Sequence, residues 1–326
     1  MALTRPRLSR AVSISGIAEL PTPLEEASPE LSEGRPLFLK REDVHELGAF
    51  KWRGALPALE AFRARGADGV VTASTGNHGA ATAWAAERTG VRAVIFVPTA
   101  ASESKVALLE QLGAELHRVG ADLDESKDLA RGTAAANGLA FFEDGAEPAQ
   151  FDGYEAIGKE ISRQLGRAPA KVIVPVGNGA LIIGVTRAVG RVLGVVAKEA
   201  PVMALSVEAG RPVECDRCAT FADGMAVRVA IPRAVAELRR GTRMMTVSER
   251  EIAYAVRDYA AAGIRVEGAA ASALAAFRTS ASAQTGPDDP PLLLPEHDPT
   301  VLIVTGRNID DDLHRRCVED PDSFPD

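Results

Sequence analysis

The segment GAFKWRGA, Gly48 to Ala55, places a single lysine, Lys51, between a phenylalanine and a basic turn. Lysine is scarce in this chain, 7 residues against 30 arginines. Apolar positions from Phe50 to Arg65 recur at helical spacing and stop at Gly66, so Lys51 falls in the opening turn of a helix. An amine desolvated by apolar neighbours at such a turn is able to form a Schiff base. On this segment alone a second reading stands beside it, a lysine snorkelling from an amphipathic helix.

Outward from this segment the pattern alternates between short apolar runs and helices. LFLKRE before it reads as a strand, and GVVTAS, VRAVIFVP, AELHRVG and LAFFED after it read as strands separated by helical stretches that end at Gly90 and Gly138. From Phe151 a helix leads into AKVIVPV, the strongest buried-strand signal, which runs into the glycine turn and helix of GNGALIIGVTRAVGRVLG. VMALSVEA and IRVEGAAAS are expected to be strands, EREIAYAVRDYAAAG a helix and TVLIVTG a last strand; LSRAVSISGIAEL is helix-like and residues 279–290 form an exposed loop. This rhythm predicts an α/β fold of βαβ crossovers with mostly parallel sheets, divided into residues 1–68 with 148–326 and a smaller domain at 69–147.

Composition narrows the partners. The net charge of −8, from 37 basic and 45 acidic residues, argues against nucleic acid or an anionic membrane as partner. No run of eighteen apolar residues and no secretory signal is present, so a cytoplasmic protein is expected. Cys215 and Cys218 have the spacing of half a zinc knuckle without its other half, and with Cys317 they read as structural or incidental thiols.

Two turns follow strands at positions where open α/β sheets bind ligands. Ser74-Thr75-Gly76-Asn77-His78-Gly79 offers hydroxyls, an amide and backbone N–H groups next to a helix start, which suits a carboxylate or phenolate. Gly177-Asn178-Gly179-Ala180-Leu181 offers small residues at a helix amino terminus, which suits a phosphate. Each alone also reads as a tight βα turn. Glu208 and Glu214 read either as ligands of a divalent cation or as solvated loop carboxylates, and Glu267 and Thr305 sit at expected strand ends.

Taken together, GAFKWRGA, TASTGNHGAATAWAAERTG, IVPVGNGAL, SVEAG, FADGMAV and LIVTGRNID resemble the fold-type II pyridoxal-phosphate enzymes, closest to the threonine/serine ammonia-lyase and serine racemase group. The resemblance covers roughly residues 18 to 315 in the family's order and spacing. It implies a tryptophan synthase β-like fold, two open parallel-sheet domains with the cofactor in the cleft between them, and a homodimer. It implies Lys51 as the Schiff-base lysine and general base, Phe50 beside the ring, Asn77 on the ring phenolate and Ser74 to His78 on the substrate carboxylate. Gly177, Asn178, Gly179, Ala180 and Leu181 would take the phosphate, Thr305 the pyridine nitrogen, Gly224 the ring edge and Glu267 a place in the cleft. Glu208, Pro212 and Glu214 match the racemase-type site for Mg2+ or another divalent cation.

The activity so implied is a dehydratase that deaminates a 3-hydroxy amino acid such as L-threonine or L-serine to a 2-oxo acid and ammonia. A neutral hydroxyl at Thr305 cannot hold a proton on the ring nitrogen as a carboxylate would, which favours prompt β-elimination. Departures from the family pattern leave alternatives open. Ala49 replaces a serine, Asn178 and Ala180 replace glycines, Asp152-Gly153-Tyr154-Glu155 stands for GlyGlnGlyThr, and Thr75 occupies the position of the racemase's second-face base. Racemisation, β-replacement, or elimination from a hydroxyaspartate, phenylserine or diaminopropionate type of substrate are the alternatives.

Overall fold

The alternation of apolar runs and helices builds two separate sheets. The computed structural model describes residues 21–238, 242–282 and 299–326. In chain order the elements are β1 (Leu24–Glu26), α1 (Pro29–Ser32), β2 (Leu37–Arg41), α2 (Trp52–Ala64), β3 (Gly69–Ala73), α3 (Asn77–Thr89), β4 (Arg92–Val97), α4 (Glu103–Gln111), β5 (Glu115–Arg118), α5 (Leu123–Asn137) and β6 (Ala140–Phe141). They continue as α6 (Pro148–Leu165), β7 (Lys171–Pro175), α7 (Ala180–Ala188), β8 (Val192–Ala197), α8 (Val202–Ala209), α9 (Pro232–Leu238), β9 (Arg243–Val247), α10 (Glu249–Ala261), α11 (Gly268–Ser282), β10 (Thr300–Val304) and α12 (Asp311–Glu319).

Among the described residues one sheet has the order β1-β2-β10-β7-β8-β9 and the other β5-β4-β3-β6. Every pairing is parallel except β1 with β2. The fully buried strand β10 (TVLIV) is apolar almost throughout because helices cover both faces of a parallel sheet. Gly90, Gly138 and Gly166 end α3, α5 and α6 in the left-handed conformation.

Several expectations need correction. VMALSVEA is the helix α8, not a strand: Val202, Met203 and Ser206 are its buried residues, at helical spacing, and Gly210 closes it. The strand in that region is VLGVVA, β8, which pairs with β7 and β9. IRVEGAAAS is not a strand either: Ile264 to Glu267 carry no regular structure, and the alanine-rich run from Gly268 is the buried helix α11. Residues 279–282 are its last turn rather than loop, while 283–298 and the helix-like start at 8–20 lie outside the described residues. The helix α9 and the edge strand β9 carried no reading in the sequence.

Helix α2 packs on both sides of the molecule. Trp52, Leu56 and Leu59 join Val70, Trp84 and Phe142 of the four-stranded side, while a buried set of charges ties α2 to β2 and α6. Arg53 grips Glu160 with two N–H groups at 2.7 and 2.9 Å and donates to Glu42 at 2.7 Å; Lys40, fully buried, donates to the same Glu160 at 2.5 Å. Two cations face two carboxylates, and Thr22 and Gln164 complete their hydrogen bonds.

Contact between α2 and α6 depends on Gly153. Pro57 has no N–H to give the carbonyl of Arg53, and α6 lies against that carbonyl so closely that a Cβ on Gly153 would stand 1.9 Å from its oxygen. Gly153→Ala, worth about 1 kcal/mol of stabilisation in an exposed helix interior, should instead destabilise the protein by about 1–3 kcal/mol. Denaturant unfolding of the two proteins measures the sign.

Candidate active site

The carboxyl end of β10 organises the site. Phe50 N donates to Thr305 O at 3.0 Å, Ala49 bridges to Gly306, and Arg307 N donates to Gly48 O at 2.9 Å. This short ladder holds Lys51 at the N-cap of α2, with Nζ 5.2 Å from the centre of the Phe50 ring. The position agrees with the helix start read from the sequence.

Phe50, Lys51, Asn77, Gly177, Asn178, Gly179, Leu181, Gly224, Glu267 and Thr305 line one cleft, together with Pro175 and Ala269. The chain has brought them from six separate segments. Ala180, the first residue of α7, is buried behind them, and its N–H is accepted by Asn178 Oδ1 at 3.0 Å. Gly179 has φ +92°, and a Cβ on Gly177 would meet the Gly224 carbonyl oxygen at 2.4 Å. The turn is therefore a tight cradle in which the two glycines bring backbone to the cleft, feeding a nine-residue helix whose first N–H groups have no acceptor within the helix. A phosphate suits that cradle, and a pyridoxal ring suits the space between Phe50, Lys51, Asn77 and Thr305.

Glu267 joins two of the ring-side groups. Asn77 Nδ2 donates to its Oε2 at 2.9 Å and Thr305 Oγ1 to its Oε1 at 3.2 Å. Asn308 Nδ2 donates to Asn77 Oδ1 at 2.8 Å, which turns the Asn77 amide nitrogen into the cleft. Burial, reinforced by Asp223, pushes the Glu267 carboxyl up to about 7, against the donors and Lys51.

The Ser74 to His78 turn is divided. Asn77 faces the cleft; Ser74 accepts the Gly76 N–H at 3.2 Å; Ser74, Thr75 and Gly76 are partly exposed. His78 is buried with Nε2 at 3.1 Å from Thr72 Oγ1, and burial holds its imidazole below its ordinary value, against the pull of Asp144. Glu208 stands exposed on α8 and not at a strand end, Pro212 is exposed, and Glu214 lies 3.9 Å from Arg228. No group of three or more His, Cys, Asp or Glu residues able to hold a metal ion occurs among the described residues. The three cysteines are free thiols.

Sequence reasoning missed Asp144, whose Oδ2 accepts from Lys51 Nζ at 2.5 Å. The available signal was its place just after β6, a carboxyl end of a parallel strand. Asn308, Pro175 and Ala269 also carried no reading.

A lysine at a helix start, a glycine-containing phosphate cradle and a ring slot between parallel-sheet domains define a fold-type II pyridoxal-phosphate enzyme. The chain belongs to the pyridoxal-phosphate dependent enzyme family, whose model matches residues 17–306. It is 31% identical over 296 residues to a putative threonine dehydratase of Sinorhizobium fredii, covering 87% of this chain and 86% of that protein. It is 36% identical over 217 residues to threonine dehydratase 1 (biosynthetic, chloroplastic) of Solanum lycopersicum, covering 64% of this chain and only 36% of that longer protein. The fold superposes on the processed form of threonine deaminase isoform 2 from Solanum lycopersicum with a TM-score of 0.82 at 28% identity, over 92% of this chain and 88% of the other.

Glu267 makes the cofactor-free protein lose stability as pH rises. With a carboxyl near 7 in the folded state and near 4.5 unfolded, only the unfolded chain releases this proton between those values. Relative to Glu267→Gln, the wild type should lose about 2–3 kcal/mol between pH 5 and pH 8. Urea unfolding of both proteins at the two pH values checks it.

Proposed function

We propose that the protein is an ammonia-lyase that removes the β-hydroxyl of a 3-hydroxy amino acid and releases a 2-oxo acid and ammonia, with L-threonine and L-serine as its first candidates. The observation that carries this reading is the single cleft shared by Lys51, Asn77, Thr305 and the Gly177–Leu181 turn. The threonine dehydratase named above, aligned over 87% of the chain, supports it.

In this reading Lys51 would hold the cofactor aldehyde and residues 177–181 its phosphate. Asn77, oriented by Asn308, donates to the ring phenolate, and Thr305 meets the ring nitrogen. Pyridoxal phosphate, when bound, supplies a sink for the electrons released at the substrate Cα. The partly exposed hydroxyls and N–H groups of Ser74 to Gly76 receive the substrate carboxylate. Lys51, released when the substrate amine takes its place on the aldehyde, would then take the Cα proton as general base. Loss of the Cα proton and the β-hydroxyl amounts to loss of water, and hydrolysis of the released enamine takes up water again, leaving 2-oxo acid and ammonia.

The proposal includes a division at residues 69–147, the span that carries the four-stranded sheet, and the cytoplasmic homodimer that the resemblance implies. No helix among the described residues is long and apolar enough to cross a membrane. The proposal assigns no step to the divalent cation: Glu208, Pro212 and Glu214 are exposed, and Glu214 lies 3.9 Å from Arg228.

Purified protein should show a visible Schiff-base absorption band that Lys51→Ala abolishes. It should release ammonia and 2-oxo acid from L-threonine or L-serine. The test is a panel of both enantiomers that also includes hydroxyaspartate, phenylserine and diaminopropionate, read together with the enantiomer ratio of unreacted substrate. Elimination from none of them would refute the lyase, and racemised substrate without ammonia would replace it with the racemase.

A further inference from the structure

We infer that Asp144 is a positioning residue for Lys51, the counter-ion that receives its ammonium during turnover and holds Nζ beside the cleft. The reading rests on the assignment of Lys51 as the reactive amine. Asp144 follows β6 on the four-stranded side, whereas Lys51 hangs from the end of β10 in the six-stranded sheet, so the pair spans the two.

The carboxylate is built into place rather than left to solvent. Gln150, fully buried in the first turn of α6, donates Nε2 to Asp144 Oδ1 at 3.0 Å and accepts the Gly145 N–H on Oε1 at 2.9 Å. Gly145, at φ +88°, turns the chain against the phosphate cradle, where a Cβ would meet Asn178 Cγ at 2.8 Å. His78 Nδ1 lies 3.7 Å from Oδ1. One oxygen is thus held by Gln150 near His78, and the other is aimed at Lys51 Nζ at 2.5 Å. Burial by itself would raise the Asp144 carboxyl, but Lys51, His78 and Gln150 together hold it well below the usual carboxylate range. Asp144 therefore stays an anion and has no proton to give a leaving group.

That charge acts on Lys51 in opposite senses at two stages. In proton abstraction the Cα–H bond breaks heterolytically, the proton becomes a third N–H on Nζ, and the electron pair stays on the substrate to expel the β-hydroxyl, which leaves as water with that proton. A carboxylate already within hydrogen-bond reach stabilises the ammonium as it forms and keeps it at the reacting carbon. In the cofactor-free protein the same pairing works against Lys51, because an amine protonated and tied to a carboxylate is not a nucleophile toward an aldehyde.

The test uses Asp144→Asn, which keeps shape and removes charge. Cofactor-free variant should capture pyridoxal phosphate at pH 7 about threefold to tenfold faster than wild type, followed by the rise of the absorption band. The loaded variant should show a full band and a KM within about threefold of wild type, with kcat lower by roughly tenfold or more. Asp144→Glu, which keeps the charge, should capture at the wild-type rate and recover part of kcat. If the asparagine variant does not fold, Asp144→Ser gives the same comparison. Capture at or below the wild-type rate in the uncharged variants would overturn the inference, as would an unchanged kcat. Wild-type protein inactive on every substrate would instead refute the lyase reading, leaving the capture rates to decide the role of Asp144.

Discussion

The buried charge cluster of Lys40, Glu42, Arg53 and Glu160 is the constraint on which the geometry of the site rests. Two carboxylates and two cations out of water are tolerable only as a complete set, since removing one leaves an unpaired buried charge at a cost of about 3–5 kcal/mol. Because Glu160 is shared by Lys40 of β2 and Arg53 of α2, the helix cannot rotate or slide against the sheet without breaking the set. Arg53 stands two residues after Lys51. The helix turn that carries the reactive lysine is thus fixed to the sheet by a charge cluster in which Lys51 takes no part.

The same end of the helix is also held by close packing. Gly153 lets α6 touch the Arg53 carbonyl that Pro57 leaves without an intrahelical donor, and Trp52 and Leu56 carry α2 into the core of the four-stranded side. The Phe50–Thr305 and Arg307–Gly48 hydrogen bonds then join its first turn to β10. Lys51 sits where a charge clamp, a glycine contact and a backbone ladder meet, which is the preorganisation a general base needs.

Electrostatics in the cleft are asymmetric. On the ring side Glu267 titrates near 7 because it is buried, and it ties together Asn77 and Thr305. On the side of the four-stranded sheet Asp144 stays ionised because the Lys51 ammonium and the Gln150 amide converge on it beside His78. Two carboxyl groups in one site are driven apart in proton affinity by their surroundings, so one is able to exchange a proton near neutral pH and the other serves as a fixed charge.

What the sequence determined by itself was local: the βα rhythm, the lysine at a helix start, the small-residue turns after strands and, through their joint resemblance, the cofactor class. These are legible because each depends on a few consecutive residues. VMALSVEA and IRVEGAAAS were misread because valine, alanine and isoleucine suit a strand or a buried helix alike, and only the space beside β7 decided that VLGVVA would fill it. Asp144 and Lys51, 93 residues apart, carry no mutual signal along the chain; only the docking of one sheet against the other made them partners. The tertiary structure likewise turned Asn308 into the group that orients Asn77, because hydrogen bonds between distant segments exist only once the backbone has brought them together.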